Sequence, residues 1–206
     1  MYEISDREKQ TARLWLPDFK RIMESWADKM PDITLSIICA IVSRETLWGW
    51  ASAYKINGHR GEGDPDGRGD YSQRRGEDSP RYHGYGYFQI DIGSHQGFIS
   101  TGKWSIPSLA LEYVLNAVLW PAWERFKNEP AARRLKATIA AYNAGAGNVA
   151  KQLKKGTDVD LATTGRNYAA DVLDRARVWD KWLSGEGGVI DPPPLPPPLT
   201  DAERRE

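Results

Sequence analysis

Residues 33–42 read Ile-Thr-Leu-Ser-Ile-Ile-Cys-Ala-Ile-Val, the most hydrophobic stretch of the chain, and they run directly into Ser43-Arg44-Glu45. The stretch predicts a mostly buried helix that ends between Glu45 and Trp48. A carboxylate at the end of such a helix should lie against apolar walls, and desolvation would then raise its pKa towards that of a proton donor at neutral pH. The structural alternative is that Glu45 forms an ion pair with Arg44 or with another cation.

The length of the chain favours one domain. A chain of 206 residues is long enough for one well-buried core and short for two, so we predict a single domain over residues 1–185. A Pro-rich tail follows at 186–206, in which residues 192–198 form an extended polyproline segment. The tail is either a stiff spacer or a segment that contacts another protein.

Charge and hydrophobicity exclude several classes of protein. The 28 basic and 28 acidic residues give a formal net charge of zero, which argues against binding of nucleic acid through a basic face. The run at 33–42 is too short to span a membrane, and residues 1–6 lack the pattern of a secretory signal peptide. The single cysteine, Cys39, is expected to be a buried thiol, and it excludes a disulfide framework.

Periodicity and composition predict the remaining elements. Ser5 and Glu8 form a capping box, and apolar residues at helical spacing predict an amphipathic helix over most of 6–29. Residues 51–83 are rich in Gly, Asp, Arg, Ser and Pro and predict a long polar loop. A short strand or hairpin is predicted around residues 85–90. Further helices are predicted over 105–127 with a kink or break at Pro121, over 131–143, and over 165–183.

A calcium site in the polar segment is the one metal site that the sequence raises. Asp64, Asp66 and Asp70 cluster with glycines, which makes a calcium-binding loop worth testing. Arg68 and Arg75, however, occupy positions of that template where carboxylate-type ligands belong. We therefore predict neither a metal ion nor a cofactor.

Three motifs follow one another along the chain. They are Ser43-Arg44-Glu45-Thr46, then Gly-Tyr-Gly-Tyr-Phe-Gln-Ile-Asp at 84–91, then Ala-Tyr-Asn-Ala-Gly-Ala-Gly-Asn-Val at 141–149. Taken singly, the second is compatible with an ordinary hairpin and the third with a helix that ends at a glycine cap. Chance explains the three poorly when they occur together and in this order.

The set resembles the goose-type lysozymes and the related lytic transglycosylases, and the likeness is closer to the goose type. Matches at Thr163-Thr164 and at 167–172 extend the resemblance, which covers residues 33–183. It implies a mainly α, lysozyme-like α+β fold in which a helical domain carries a small β-hairpin that lines a cleft. It also implies cleavage of the β-1,4 bond between N-acetylmuramic acid and N-acetylglucosamine in peptidoglycan.

The resemblance assigns roles to individual residues. Glu45 takes the position of the general acid, in agreement with its place after the apolar run. Asp91 matches an acid that helps to place the attacking water, although a strand-end cap is its simpler explanation. The residues that match positions of the sugar-binding cleft are Gln89, Tyr142, Asn143, Tyr168 and His95. Tyr142 is further expected to bond Glu45 or the adjacent sugar, and a structural hydrogen bond is an equal alternative for His95.

The chain departs from the goose-type pattern in one place. The family carries a second acid in a short connection before the Gly-aromatic-Gly stretch, whereas here that connection expands to 51–83 and Pro80 falls at the position by direct counting. Asp70, Glu77 and Asp78 are the candidates to replace the missing acid. The choice bears on whether the protein is a hydrolase or a lytic transglycosylase, and a catalytically idle wall-binding module is a third hypothesis.

The expected site of action is the bacterial cell wall. A wall-degrading enzyme without disulfides and without a signal peptide fits a bacteriophage lysin or an effector delivered by a secretion machine. A trimmed form of an exported enzyme fits as well.

Overall fold

A computed structural model describes residues 2–185, and the predicted Pro-rich tail lies outside them. The helices are α1 (Asp6–Glu24), α2 (Leu35–Thr46), α3 (Ile92–Ile99), α4 (Pro107–Val114), α5 (Trp120–Arg125), α6 (Ala131–Ala144), α7 (Ala146–Lys154) and α8 (Tyr168–Leu183). The strands are β1 (Lys55–Ile56), β2 (His59–Arg60), β3 (Arg68–Ser72), β4 (Arg81–Tyr85) and β5 (Ile90–Asp91), which form one antiparallel sheet in the order β2-β1-β3-β4-β5. The prediction of a mainly α, lysozyme-like α+β fold is confirmed.

Helix α2 is the buried element that the apolar run predicts. The Thr34 hydroxyl caps its first turn by accepting the Ile37 N–H at 3.4 Å. Residues 36–43 are all buried, Cys39 among them as expected, and α2 packs against α8. The core therefore fixes the helix that ends at the candidate acid.

Helix α1 is tied to α2 by a buried carboxylate. The predicted capping box of Ser5 and Glu8 is present, and Glu8 is only 2% exposed. The hydroxyl of Ser43 donates to Glu8 Oε1 at 2.6 Å, and the indole N–H of Trp179 in α8 donates to Ser43 Oγ at 3.1 Å. The hydroxyl of Tyr2 donates to the same carboxylate at 2.8 Å. Neutral donors thus satisfy this buried acid, and they hold three helices together two residues before Glu45.

Two helical segments end or break at positions that local contacts explain. Helix α1 covers most of the predicted range 6–29 and ends at Glu24, where the hydroxyl of Ser25 donates to the Ile22 carbonyl and competes with helix continuation. The segment around Pro121 runs as α4, a π-helical turn over Leu115–Leu119, and α5. The Trp120 N–H bonds Leu115 five residues back, just before the proline that has no N–H to offer.

The prediction of a long polar loop over 51–83 is wrong, because this segment supplies β1, β2, β3 and the start of β4. Asn57 and Gly58 form a two-residue turn between Ile56 and His59, and both turn residues have positive φ, +48° and +84°. The expected small hairpin is therefore part of a five-stranded sheet. Its glycines serve tight turns and close backbone approaches, which is why the composition looks like that of a loop.

Candidate active site

A cleft runs between the sheet and the carboxyl end of α6. It consists of two adjoining cavities of about 730 Å³ and about 280 Å³. The residues that line both cavities are Asp70, Arg74, Gln89, Asp91 and Asn143. Glu45 lines the smaller cavity and His95 and Tyr142 line the larger one. The cleft thus brings together residues from all three sequence motifs and from the segment that departs from the family pattern.

Glu45 lies in the last turn of α2, where the helix stops in a left-handed cap at Leu47 with φ of +49°. Its side chain is half-buried, and it accepts a hydrogen bond from the hydroxyl of Tyr168. Burial disfavours the ionised carboxylate and raises the pKa of Glu45 from 4.5 to about 7, although the Tyr168 hydrogen bond and the charge of Arg44 both act to lower it. At neutral pH a substantial fraction of Glu45 therefore carries a proton that it can donate.

Arg44 does not form the ion pair with Glu45 that the structural alternative requires. Its Nε lies 3.2 Å from Oδ2 of Asp171 in α8, and its guanidinium lies 5.8 Å from the ring centroid of Tyr168. Asp171 also accepts from Arg175 at 2.7 Å. The positive charge next to Glu45 is thus directed to α8, and the acid faces the cleft.

Two aspartates share one arginine on the opposite wall. Arg74 donates to Asp91 Oδ1 at 2.5 Å and to Asp70 Oδ2 at 2.8 Å. Asp91 also caps α3 through the Ser94 N–H at 3.0 Å, so the strand-end cap and the cleft position coexist. The hydrogen bond from Arg74 is the main cause that lowers the pKa of Asp70. Both carboxylates line the same cavity as Glu45.

Of the three candidates for the second acid, Asp70 is the one that the structure places in the cleft. It has φ of +50° within β3, a conformation that Asp tolerates and that lets both Asp70 and its neighbour Gly69 line the smaller cavity. Glu77 instead bonds Arg81 at 2.8 Å and lies 3.2 Å from His83. In the described part of the chain, neither Glu77 nor Asp78 lines either cavity of the cleft.

Gln89 forms part of the cleft floor. Its φ is +47°, and its amide donates to the Gly86 carbonyl at 2.9 Å. The amide lies over two glycines that are register partners in β3 and β4: a Cβ on Gly69 would come within 2.1 Å of Gln89 Oε1, and a Cβ on Gly84 within 2.4 Å. The glycines at these positions are therefore required for Gln89 to occupy its place.

Tyr168 makes the contact with Glu45 that the sequence analysis offered for Tyr142. The Tyr142 hydroxyl donates to the Phe88 carbonyl at 2.5 Å, so the first of its two expected partners, Glu45, is wrong. A bond to the adjacent sugar stays a prediction. Tyr168 makes the bond to Glu45 instead, and its side chain is almost fully buried. The two rings are nearly parallel at 11°, with centroids 6.3 Å apart.

His95 and Asn143 combine structural contacts with a place in the cleft. His95 Nδ1 lies 2.9 Å from the hydroxyl of Tyr113, and burial lowers the pKa of the imidazole. Asn143 accepts the Thr164 N–H at 2.8 Å through Oδ1. Both side chains line cavities of the cleft, so for His95 the two alternatives hold at once.

Sequence reasoning missed Arg74. Nothing in its surroundings marks it, because it lies in a polar stretch with several other arginines. Its relation to Asp70, four residues before it, resembles a pair on a helix, yet Asp70 belongs to a strand. The hydrogen bond to Asp91 appears only when β3 and β5 pair with the two edges of β4 in one sheet.

Two further properties concern metals and membranes. Across residues 2–185, no three His, Cys, Asp or Glu side chains are grouped so that they could hold a metal ion. Among the same residues, no helix has both the length and the hydrophobicity needed to cross a membrane.

Comparison with known proteins finds similarity to several proteins named lysozyme g. That of Epinephelus coioides is 33% identical over 129 residues, which are 58% of this chain and 59% of the relative. That of Casuarius casuarius is 29% identical over 70% of this chain and 63% of the relative, and that of Takifugu rubripes is 30% identical over 75% and 70%. The first two matches thus span less than two thirds of the relatives' own length. No protein-family model matches the chain.

Proposed function

Because the chain belongs to the goose-type lysozyme family, we propose that it degrades peptidoglycan by hydrolysing the β-1,4 bond between N-acetylmuramic acid and N-acetylglucosamine. The observation that carries this proposal is the carboxyl group of Glu45. It emerges from a buried helix into a cleft, it contacts the hydroxyl of Tyr168, and its pKa is raised to about 7. These are the properties of a general acid for a glycosidic leaving group.

The proposed reaction uses the two walls of the cleft. Glu45 donates its proton to the glycosidic oxygen as the bond from that oxygen to C1 breaks. A water molecule attacks C1 from the opposite face, and its proton passes to a carboxylate on the sheet wall. The products are a strand with a new reducing end and a strand with a new free hydroxyl. For an inverting reaction the two carboxyl groups should be roughly 6.5–9.5 Å apart, which leaves room for the water.

Asp91 and Asp70 are the proposed groups that orient and activate the water. Both line the cavity that Glu45 lines, and Arg74 holds both by hydrogen bonds. The positive charge of Arg74 offsets the repulsion between the two carboxylates, and its hydrogen bond lowers the pKa of Asp70. In this role Asp70 replaces the acid that the goose-type pattern places in the short connection.

A lytic transglycosylase is the alternative, and the same ion pairs favour it. The hydrogen bond from Arg74 lowers the pKa of Asp70 and makes it a weaker base, and a transglycosylase needs no base for water. There the 6-hydroxyl of the muramic acid attacks its own C1 as the bond from C1 to the leaving oxygen breaks. The proton of that hydroxyl passes to the carboxylate of Glu45, and a 1,6-anhydro end remains. Mass spectrometry of the muropeptides separates the two reactions: we expect reducing ends, and anhydro ends would replace the hydrolase proposal by the transglycosylase.

The experiment that tests the acid is Glu45→Gln on purified peptidoglycan. We expect the release of muropeptides to fall by roughly 10²–10⁴-fold, the usual contribution of general acid catalysis, with unchanged circular dichroism. A folded variant that keeps most of its activity would contradict the assignment. Wild-type protein that binds peptidoglycan and releases nothing would instead support a non-catalytic wall-binding module.

The proposed partner is therefore the glycan strand of the bacterial cell wall, which the enzyme would reach by release from a phage, by machine secretion or by export. No cofactor enters the proposed reaction. Whether the Pro-rich tail contacts another protein stays a prediction.

A further inference from the structure

A pair of tyrosines, one exposed and one half-buried, lies on the sheet outside both cavities. Tyr71 in β3 and Tyr82 in β4 are register partners, with ring centroids 4.8 Å apart and an angle of 58° between the rings. Tyr71 is 63% exposed, the highest value among the large hydrophobic side chains of the described residues. A cross-strand aromatic pair can stabilise a sheet even when its rings are largely covered. The exposed surface of the Tyr71 ring is therefore not needed for pairing and is free to contact a ligand.

The pair lies on the face of the sheet that forms the cleft floor. Alternate residues of a strand point to the same face, so Tyr82 shares a face with Gly84 two residues on. A Cβ on Gly84, or on its partner Gly69, would strike the amide of Gln89 in the cleft. The tyrosine pair is therefore the next register pair on this face, about 7 Å further along the strands.

We propose that Tyr71 and Tyr82 form an additional sugar-binding subsite, which takes a pyranose unit of the glycan strand beyond the cavities of the cleft. The ligand class rests on the proposed function. Aromatic rings bind the apolar faces of sugars, and the phenol hydroxyls can bond sugar hydroxyls. The subsite would select longer strands, because a short oligosaccharide that fills the two cavities does not reach it.

Binding to the Glu45→Gln variant tests the subsite without turnover. The probes are β-1,4-linked N-acetylglucosamine oligomers of three and of six units, and calorimetry measures the affinity of each. Adding Tyr71→Ala and Tyr82→Ala should weaken binding of the hexamer by about tenfold, as expected for lost ring contacts, and leave the trimer within about twofold. Replacing both tyrosines with Phe should retain most of the hexamer affinity, because the rings remain.

Tyr85→Ala is the matched control. It removes a ring from the same strand, but on the opposite face, where Tyr85 packs against Trp104 with centroids 5.0 Å apart. We expect no change in the ratio of hexamer to trimer affinity. If the double alanine variant does not fold, Tyr71→Ala alone should still reduce this ratio severalfold, because the side chain is mostly exposed.

The outcomes separate the subsite from the catalytic proposal. If the wild type cleaves peptidoglycan and the affinity ratio does not depend on the two tyrosines, the subsite is overturned and the proposed function stands. If the wild type cleaves nothing and the ratio still depends on them, the subsite stands as a glycan-binding surface. Failure of both oligomers to bind overturns the subsite.

Discussion

The two walls of the cleft fix their carboxyl groups by opposite means. On the helical wall, Glu45 ends a buried helix, and desolvation controls its pKa. On the sheet wall, Asp70 and Asp91 are 54% and 35% exposed, and Arg74 holds them by hydrogen bonds. Burial favours a protonated carboxyl group and polar contacts favour an ionised one, so one cleft can supply both an acid and a carboxylate.

Removal of both carboxylates on the sheet wall should have the largest effect of the changes that test the difference between the two walls. We expect Asp70→Asn with Asp91→Asn to lower turnover of peptidoglycan by roughly 10²–10⁴-fold, because no group remains to accept the proton of water. Glu77→Gln is the matched control, since this acid of the same segment pairs with Arg81 outside the cleft. The amide oxygen of Gln can still accept the Arg74 N–H that Glu77 accepts at 2.8 Å, so turnover should change little. A larger loss for Glu77→Gln than for the double variant would show that the wrong acid has been assigned.

The raised pKa of Glu45 also predicts how stability depends on pH. The folded protein keeps a proton up to about pH 7 that the unfolded chain loses near pH 4.5. The stability that this group contributes is therefore fully present below pH 4.5 and is lost as the pH rises to about 7. Glu45→Gln, which removes the titration, should be more stable than the wild type at pH 8 by roughly 1–3 kcal/mol and about equal to it at pH 4. Urea unfolding at both values measures this, and a less stable variant at pH 8 would contradict the desolvated acid.

Removal of the shared arginine tests the other wall. Without Arg74 the pKa of Asp70 should rise, because the carboxylate loses its main hydrogen-bond donor while Asp91 stays nearby. The rise should be partial, because the contacts with Ser72 and His83 still act to lower this pKa. Arg74→Ala should therefore shift the acidic limb of the pH–rate profile to higher pH. Turnover of peptidoglycan should fall about tenfold at pH 5 and by less at pH 7. Arg74→Lys keeps the charge but not the planar fork, so an intermediate shift is expected. An unchanged acidic limb in both variants would rule out this role of Arg74.

The smallest predicted effect concerns Tyr168. Its hydroxyl lowers the pKa of Glu45, so Tyr168→Phe should move the alkaline limb of the pH–rate profile to higher pH by up to about one unit. Tyr142→Phe is the matched control, because that hydroxyl bonds the Phe88 carbonyl and not the acid. If the two variants shift the alkaline limb equally, the hydrogen bond from Tyr168 does not tune the acid.

The helical wall was the easier one to predict from the sequence. The apolar run at 33–42 is a long, local pattern, and it locates both α2 and the residue at its end. The capping box of Ser5 and Glu8 likewise depends on residues only three apart, and it is present as predicted. Patterns of this kind predict the fold well because their partners are close in the chain.

The sheet wall depends on contacts that no local pattern reveals. Its composition concealed the strands, although Asn57-Gly58 is a strong signal for a two-residue hairpin turn and could have indicated β1 and β2. Asp70 can be chosen over Glu77 and Asp78 only when the pairing of β3 with β4 and the hydrogen bond from Arg74 to Asp70 are known. The partner of Glu45 was misassigned because Tyr142 and Tyr168 lie on different helices whose packing decides which hydroxyl reaches the acid.

The most direct test of the central claim is the pKa of the Glu45 carboxyl group itself. Carbon-13 NMR of labelled glutamate side chains gives this value, and the signal that Glu45→Gln removes identifies the residue. We predict that this signal titrates at about pH 7. A value near 4.5 would show that burial at the end of the apolar helix does not raise the pKa of this carboxyl group. It would remove the physical basis for Glu45 as the acid.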